Sequence, residues 1–61
     1  MKISEVFPGQ TVMYTPELER LQWAKGKRTV KRIEQMSRVV LDCGDIRLVA
    51  KPSELSAIPG V

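Results

Sequence analysis

Short apolar runs divide the chain into segments of strand length, with turn-forming residues between them. After Pro8-Gly9 the residues alternate between two faces, with Val12 and Tyr14 on the same one. Such alternation is typical of a half-buried strand, and Pro-Gly suits the two central positions of a type II turn. We therefore predict a turn at Pro8-Gly9 and a strand over residues 10–14.

Residues 16–25 carry the signals of a helix. Thr15 is a good N-cap, Pro16 suits the first helical position, and Gly26 stands where a left-handed cap would end the helix. The pattern predicts either a short helix or a helical turn inside a long connection. We interpret Trp23 as an aromatic of the core or its edge, and a stacking platform is the alternative.

Residues 28–38 allow two interpretations. Val30 and Ile33 share one arc of a helical wheel, so periodicity alone favours a helix. Against this, Thr29 and Val30 prefer strands, and no Gly, Asn or Pro ends such a helix before Arg38. A strand with a β-bulge between Val30 and Ile33 also brings both side chains to one face. We favour the strand.

The second half of the chain reads as a hairpin. Residues 38–42 and 46–50 are apolar and rich in β-branched side chains, and Gly44 between them tolerates a positive φ. Met36-Ser37 would form the preceding turn. Pro52 then predicts a helical turn over residues 51–55, and we place a short final strand around Ala57-Ile58.

These elements predict one domain over residues 1–61, mainly β, built as a small five-stranded barrel with a short helix or helical turn in its first long connection. The alternative is a helix-turn-helix with a β-hairpin wing, with helices at 16–25 and 29–38. Its second helix would present cations to duplex DNA.

Positive charge is concentrated in the middle of the chain. Residues 1–24 carry a net charge of −1, whereas residues 25–51 carry +5, within a total of +3. A basic cluster of this kind is typical of a surface that binds a polyanion. We predict a nucleic-acid interface with stacking by an aromatic side chain. Its predicted members are Lys25, Lys27, Arg28, Lys31, Arg32, Arg38 and Arg47, with Tyr14 or Trp23 as the stacking residue.

The composition argues against catalysis and bound metals. The chain has no histidine, so no conventional nucleophile–histidine pair is available. Asp42 and Asp45 flank the hairpin turn, where turn formation explains them better than acid–base or cation chemistry. Cys43, the single cysteine, is expected to be a small buried residue in a reducing compartment. We predict no enzyme activity, no metal and no cofactor.

The location is predicted from absences in the sequence. No uninterrupted apolar run approaches the roughly 18 residues that a membrane helix needs. The first ten residues lack the apolar stretch of a secretory signal. We therefore expect a cytoplasmic protein with no membrane association.

The order of elements between residues 8 and 58 resembles the SH3-like small barrels of the KOW and tudor-like types. The resemblance lies in the spacing of apolar, glycine and proline residues. Thr29 stands where such barrels usually have a glycine, and the few aromatics do not provide a methyl-lysine cage. The resemblance implies a binding domain. The matching residues are Val30, Ile33, Val39, Leu41, Gly44, Val49, Pro52 and Leu55.

Two functions follow from this reading. The leading hypothesis is a small nucleic-acid-binding regulatory or accessory protein that uses a cationic sheet and loop surface. The alternative is a protein–protein adaptor or regulator that docks on a larger partner through its barrel surface or a sheet edge. Because a chain of this size buries little surface, homo-oligomerisation is also expected to be possible.

Overall fold

The computed structural model describes residues 1–35 and 37–58, which form one five-stranded antiparallel sheet of order β4-β3-β2-β1-β5. Short 3-10 segments occupy Ile3–Glu5, Glu19–Ala24 and Pro52–Glu54, and none of the described residues is α-helical. The prediction of a mainly β fold is therefore confirmed. The strands are β1 (Thr11–Tyr14), β2 (Gly26–Glu34), β3 (Arg38–Cys43), β4 (Ile46–Ala50) and β5 (Leu55–Ser56).

The helical alternative for residues 29–38 is wrong, because Gly26–Glu34 is a strand. Its pairing with β3 changes register between Val30 and Arg32, which marks Lys31 as the extra residue of a β-bulge. Val30 is buried, and Ile33 packs against the same core from the far side of the bulge. The bulge that the strand interpretation required is present, and it explains a helix-like period in a strand.

The first long connection contains a 3-10 segment in place of an α-helix. Its backbone bonds run three residues back, from the Leu21 N–H to the Leu18 carbonyl and from the Lys25 N–H to the Gln22 carbonyl. The Gln22 side chain donates to the Pro16 carbonyl over 2.9 Å. Because a helix this short has little stability of its own, these local hydrogen bonds and the burial of Ala24 stabilise the 3-10 segment.

The turns follow the local chemistry where it is strong. Gly9 has φ +89°, and the Gln10 N–H donates to the Phe7 carbonyl, as in the predicted type II turn. Gly44 has φ +67° at the first central position of the β3–β4 turn. In the weaker β2–β3 turn, Gln35 takes a φ of 54°, which the sequence did not indicate. Met36, predicted as part of that turn, lies outside the described residues.

The end of the chain differs from the prediction by two residues. The final strand is Leu55–Ser56, and Ala57 and Ile58 lie outside it. Leu55 is buried directly opposite Tyr14 of β1, so a core contact fixes where this strand pairs. The helical turn expected near Pro52 is present as the 3-10 segment.

The core lies on one face of the curved sheet. Across β2, β3 and β4 it contains the row Val30, Leu41 and Leu48, each at most 3% exposed. Among the described residues, β4 and β5 are the two edges of the sheet and do not pair with each other, so the barrel-like sheet is not closed. No helix in this part of the chain is long and apolar enough to cross a bilayer.

Candidate nucleic-acid interface

The outer face of the first half of β2 carries exposed lysines. Lys27 pairs with Met13 and lies on the face opposite Gly26, whose partner Tyr14 is in the core. Lys31, the bulge residue, is also exposed. Lys25 is exposed directly before the strand. We call Lys25, Lys27 and Lys31 the lysine strip; at ~3.3 Å per residue it spans about 20 Å.

The lysine strip forms no ion pair within the described residues, and the acidic residue that shares a small cavity with Lys31 is Asp45 of the β3–β4 turn. On the neighbouring strand β1, the residues on the same outer face as Lys27 are Thr11 and Met13, which carry no charge. Among the ion pairs within residues 1–35 and 37–58, none involves Lys25, Lys27 or Lys31. Their ammonium groups are therefore available to a polyanion without first breaking an internal salt bridge.

The second half of β2 has a different electrostatic arrangement. Glu34 accepts a hydrogen bond from the Arg32 side chain at 3.0 Å and is also paired with Arg47 of β4. We call Arg32, Glu34 and Arg47 the Glu34 cluster. The hydrogen bond from Arg32 lowers the pKa of Glu34, the charges of Arg47 and Arg32 act in the same direction, and partial burial opposes them.

The Glu34 cluster surrounds an apolar site on the outer face. Val40 pairs with Arg32, so it projects away from the main core, yet it is only 2% exposed. It is also outside the main group of core residues. The long side chains of the cluster span β3, where Val40 lies, which explains how an outward-facing valine is removed from water. Arg32 and Arg47 are therefore partly engaged in the fold.

Arg28 and Arg38 lie apart from the lysine strip. Arg28 pairs with the fully buried Val12, so its side chain leaves from the core side, and its Nε donates to the Ala24 carbonyl at 2.9 Å. This bond holds the end of the first connection. Arg38, at the start of β3, is exposed and lines a groove near Val49. The predicted cations thus divide among several locations.

The structure changes the reading of the aromatics. Tyr14 is 0% exposed, so the prediction that it stacks on a base is corrected: its ring lies beneath the surface. Its hydroxyl has no hydrogen-bond partner among the described residues. Burial, and then the charge of Glu54, raises its pKa.

From the sequence, Trp23 is interpreted as an aromatic of the core or its edge, but it is 55% exposed and is not among the residues that pack against the core. Its indole is therefore accessible, near Lys25 in sequence. Phe7, which sequence reasoning passed over, is 57% exposed in the turn whose Gly9 N–H donates to the Val30 carbonyl. Its position directly before Pro8-Gly9 was the available signal, because turn residues lie at the surface.

The hairpin aspartates have a structural explanation. The Gly44 N–H donates to Asp42 Oδ1 at 3.3 Å, a bond typical of turn-forming aspartate. Within residues 1–35 and 37–58, no group of three or more His, Cys, Asp or Glu side chains is arranged to hold a metal ion. Cys43 is half-buried and packs against the core.

A scan against protein-family models, a search of curated proteins and a search of solved structures each found no match to this chain.

Proposed function

We propose that this protein is a small nucleic-acid-binding domain that contacts the phosphate backbone through the lysine strip. The observation that supports this proposal is the set of exposed ammonium groups at Lys25, Lys27 and Lys31, which form no ion pair with any residue of 1–35 and 37–58. Phosphate contacts of this kind provide affinity without sequence specificity. The proposed role is that of a binding protein in regulation or as an accessory factor, and not that of an enzyme.

The proposal predicts a characteristic salt dependence. If each strip lysine neutralises one phosphate, the logarithm of the binding constant falls with the logarithm of salt concentration with a slope of about −2 for single strands and about −2.7 for duplex. Fluorescence anisotropy with labelled oligonucleotides of both kinds, at about 50 and about 200 mM salt, measures this slope. Absence of binding at the lower salt concentration would exclude the proposal.

A pair of matched variants tests the location of binding. The double variant Lys27→Gln and Lys31→Gln removes two strip charges, and the double variant Lys2→Gln and Arg20→Gln removes two exposed charges elsewhere. The two variants have the same net charge. The strip variant should weaken binding and reduce the slope by about 1.4 for single strands. Equal losses in both variants would show a general charge effect and contradict a defined strip.

The alternative function, docking on a larger protein, is supported by a separate observation. An apolar groove of about 730 Å³ lies beside the edge strand β4 and includes no residue of the lysine strip. A volume of this size lies within the range of concave sites that bind drug-sized ligands. Because the groove and the lysine strip are separate, protein docking and nucleic-acid binding are compatible.

A further inference from the structure

The apolar groove lies where the sheet is open. One side is formed by the first long connection, including Leu18 and Leu21, and the other by the end of β4, including Val49. Pro52 of the last 3-10 segment contributes to the lining. Leu18 is 50% exposed, so the groove presents a large apolar side chain to solvent. Exposed apolar surface in a concave site is typical of a binding surface.

Glu54 holds both sides of the groove in position. One carboxylate oxygen accepts from the Glu17 N–H at 2.9 Å, and the other accepts from the Lys51 N–H at 2.9 Å. The Glu54 carbonyl also accepts from the Thr15 N–H at 2.8 Å. The groove is therefore preformed, which reduces the conformational entropy that a ligand must overcome.

One cation of the groove lining, Arg38, has no charged partner among the described residues. Glu54 is already bonded to backbone N–H groups, and Glu17 is paired with Lys51 at 3.8 Å. Arg38 has no ion-pair partner within the described part of the chain. Its cross-strand neighbour Glu34 is occupied by two other arginines. The lining thus carries two carboxylates and two cations, and Arg38 is the one of these four side chains with neither an ion pair nor a hydrogen bond among the described residues.

We propose that this groove binds a short extended segment of a partner protein that carries apolar side chains next to a carboxylate. The apolar side chains contact Leu18, Leu21 and Val49, and the carboxylate pairs with Arg38. An extended backbone fits because β4 is an edge strand of the sheet. This inference goes beyond nucleic-acid binding and does not depend on it, because the groove contains no strip lysine.

The test uses short peptides with blocked ends, in which leucines flank a single aspartate. Two control peptides carry asparagine or lysine in place of that aspartate. Backbone chemical shifts of the whole chain are followed during each titration. We expect shifts at Leu18, Leu21 and Val49, with affinity decreasing from aspartate to asparagine to lysine. No shifts in the groove at about 1 mM peptide, or equal affinity for the aspartate and lysine peptides, would overturn the proposal.

Two variants separate the apolar and charged contributions. Arg38→Gln should lower the affinity for the aspartate peptide about five-fold and leave the affinity for the asparagine peptide unchanged. Arg20 is an exposed cation outside the groove lining, so Arg20→Gln should change neither affinity. Leu18→Ser should lower the affinity for every peptide. Groove shifts that depend on protein concentration without peptide would instead identify a second copy as the occupant. Loss of oligonucleotide binding in the lysine-strip variant with unchanged peptide binding would support two independent surfaces.

Discussion

Both halves of β2 carry cationic side chains, but only Arg32, in the second half, forms an ion pair among the described residues. Before and at the bulge, Lys27 and Lys31 are exposed without an acidic partner among the described residues. Beyond it, Arg32 bonds to Glu34, which also pairs with Arg47. The difference comes from Glu34, which lies in the second half of β2 and pairs with Arg32 and with Arg47 of β4. The first half contains no acidic residue and lies beside Thr11 and Met13 of β1. A basic sequence therefore does not by itself define a binding surface.

The largest expected effect tests the apolar site beneath the Glu34 cluster. Val40→Ala should reduce the free energy of unfolding by about 2 kcal/mol, because Val40 is buried and its truncation leaves a cavity. Val49 lies directly opposite in β4 and is less buried, so Val49→Ala is the matched control and should reduce the free energy of unfolding by less. Urea denaturation measures both. Equal losses would contradict a specific role of the cluster in covering Val40.

The core beneath the first half of β2 provides the next test. Tyr14→Phe removes a buried hydroxyl that has no hydrogen-bond partner among the described residues. We expect the free energy of unfolding to rise by about 1 kcal/mol, because an unsatisfied buried polar group is costly. Chemical denaturation of the variant against the parent chain measures the change. A clear destabilisation would indicate that the hydroxyl is satisfied in solution.

Removing the carboxylate should make the second half of β2 resemble the first. Glu34→Gln releases Arg32 and Arg47 from their ion pairs. The salt slope for oligonucleotide binding should steepen by about 0.7 to 0.9 for each arginine that then reaches a phosphate. Glu5→Gln, which removes an exposed acidic residue elsewhere, makes the same charge change and should have a smaller effect. Equal effects would show that net charge alone controls affinity.

The smallest expected effect concerns pH. The folded state lowers the pKa of Glu34 from 4.5, so its ionised form stabilises the native state. This contribution is fully present above the unfolded value and is lost as the pH falls through the lower folded value. Stability measured between about pH 6 and about pH 3 should therefore fall more in the parent chain than in the Glu34→Gln variant. An equal loss of stability in both proteins over this pH range would contradict the ion pairs of Glu34 with Arg32 and Arg47.

The strands and most turns of this protein were predictable from local patterns. Alternation identified β1, and Pro8-Gly9 and Gly44 marked turns with positive φ. The spacing of Val30 and Ile33 alone favoured a helix, and the strand interpretation required the bulge that the structure shows. The candidate site was less predictable. Arg47 looks the same in the sequence whether or not the carboxylate of Glu34, which lies two strands away in the sheet, reaches it.

The sequence by itself determined a mainly β chain with cations in its middle, because strand alternation and turn preferences act between near neighbours. The tertiary structure determined which cations form ion pairs among the described residues and where the groove forms. It also determined that Tyr14 is buried and Trp23 exposed. These features depend on strand register and on contacts between distant segments, such as Glu54 with Glu17.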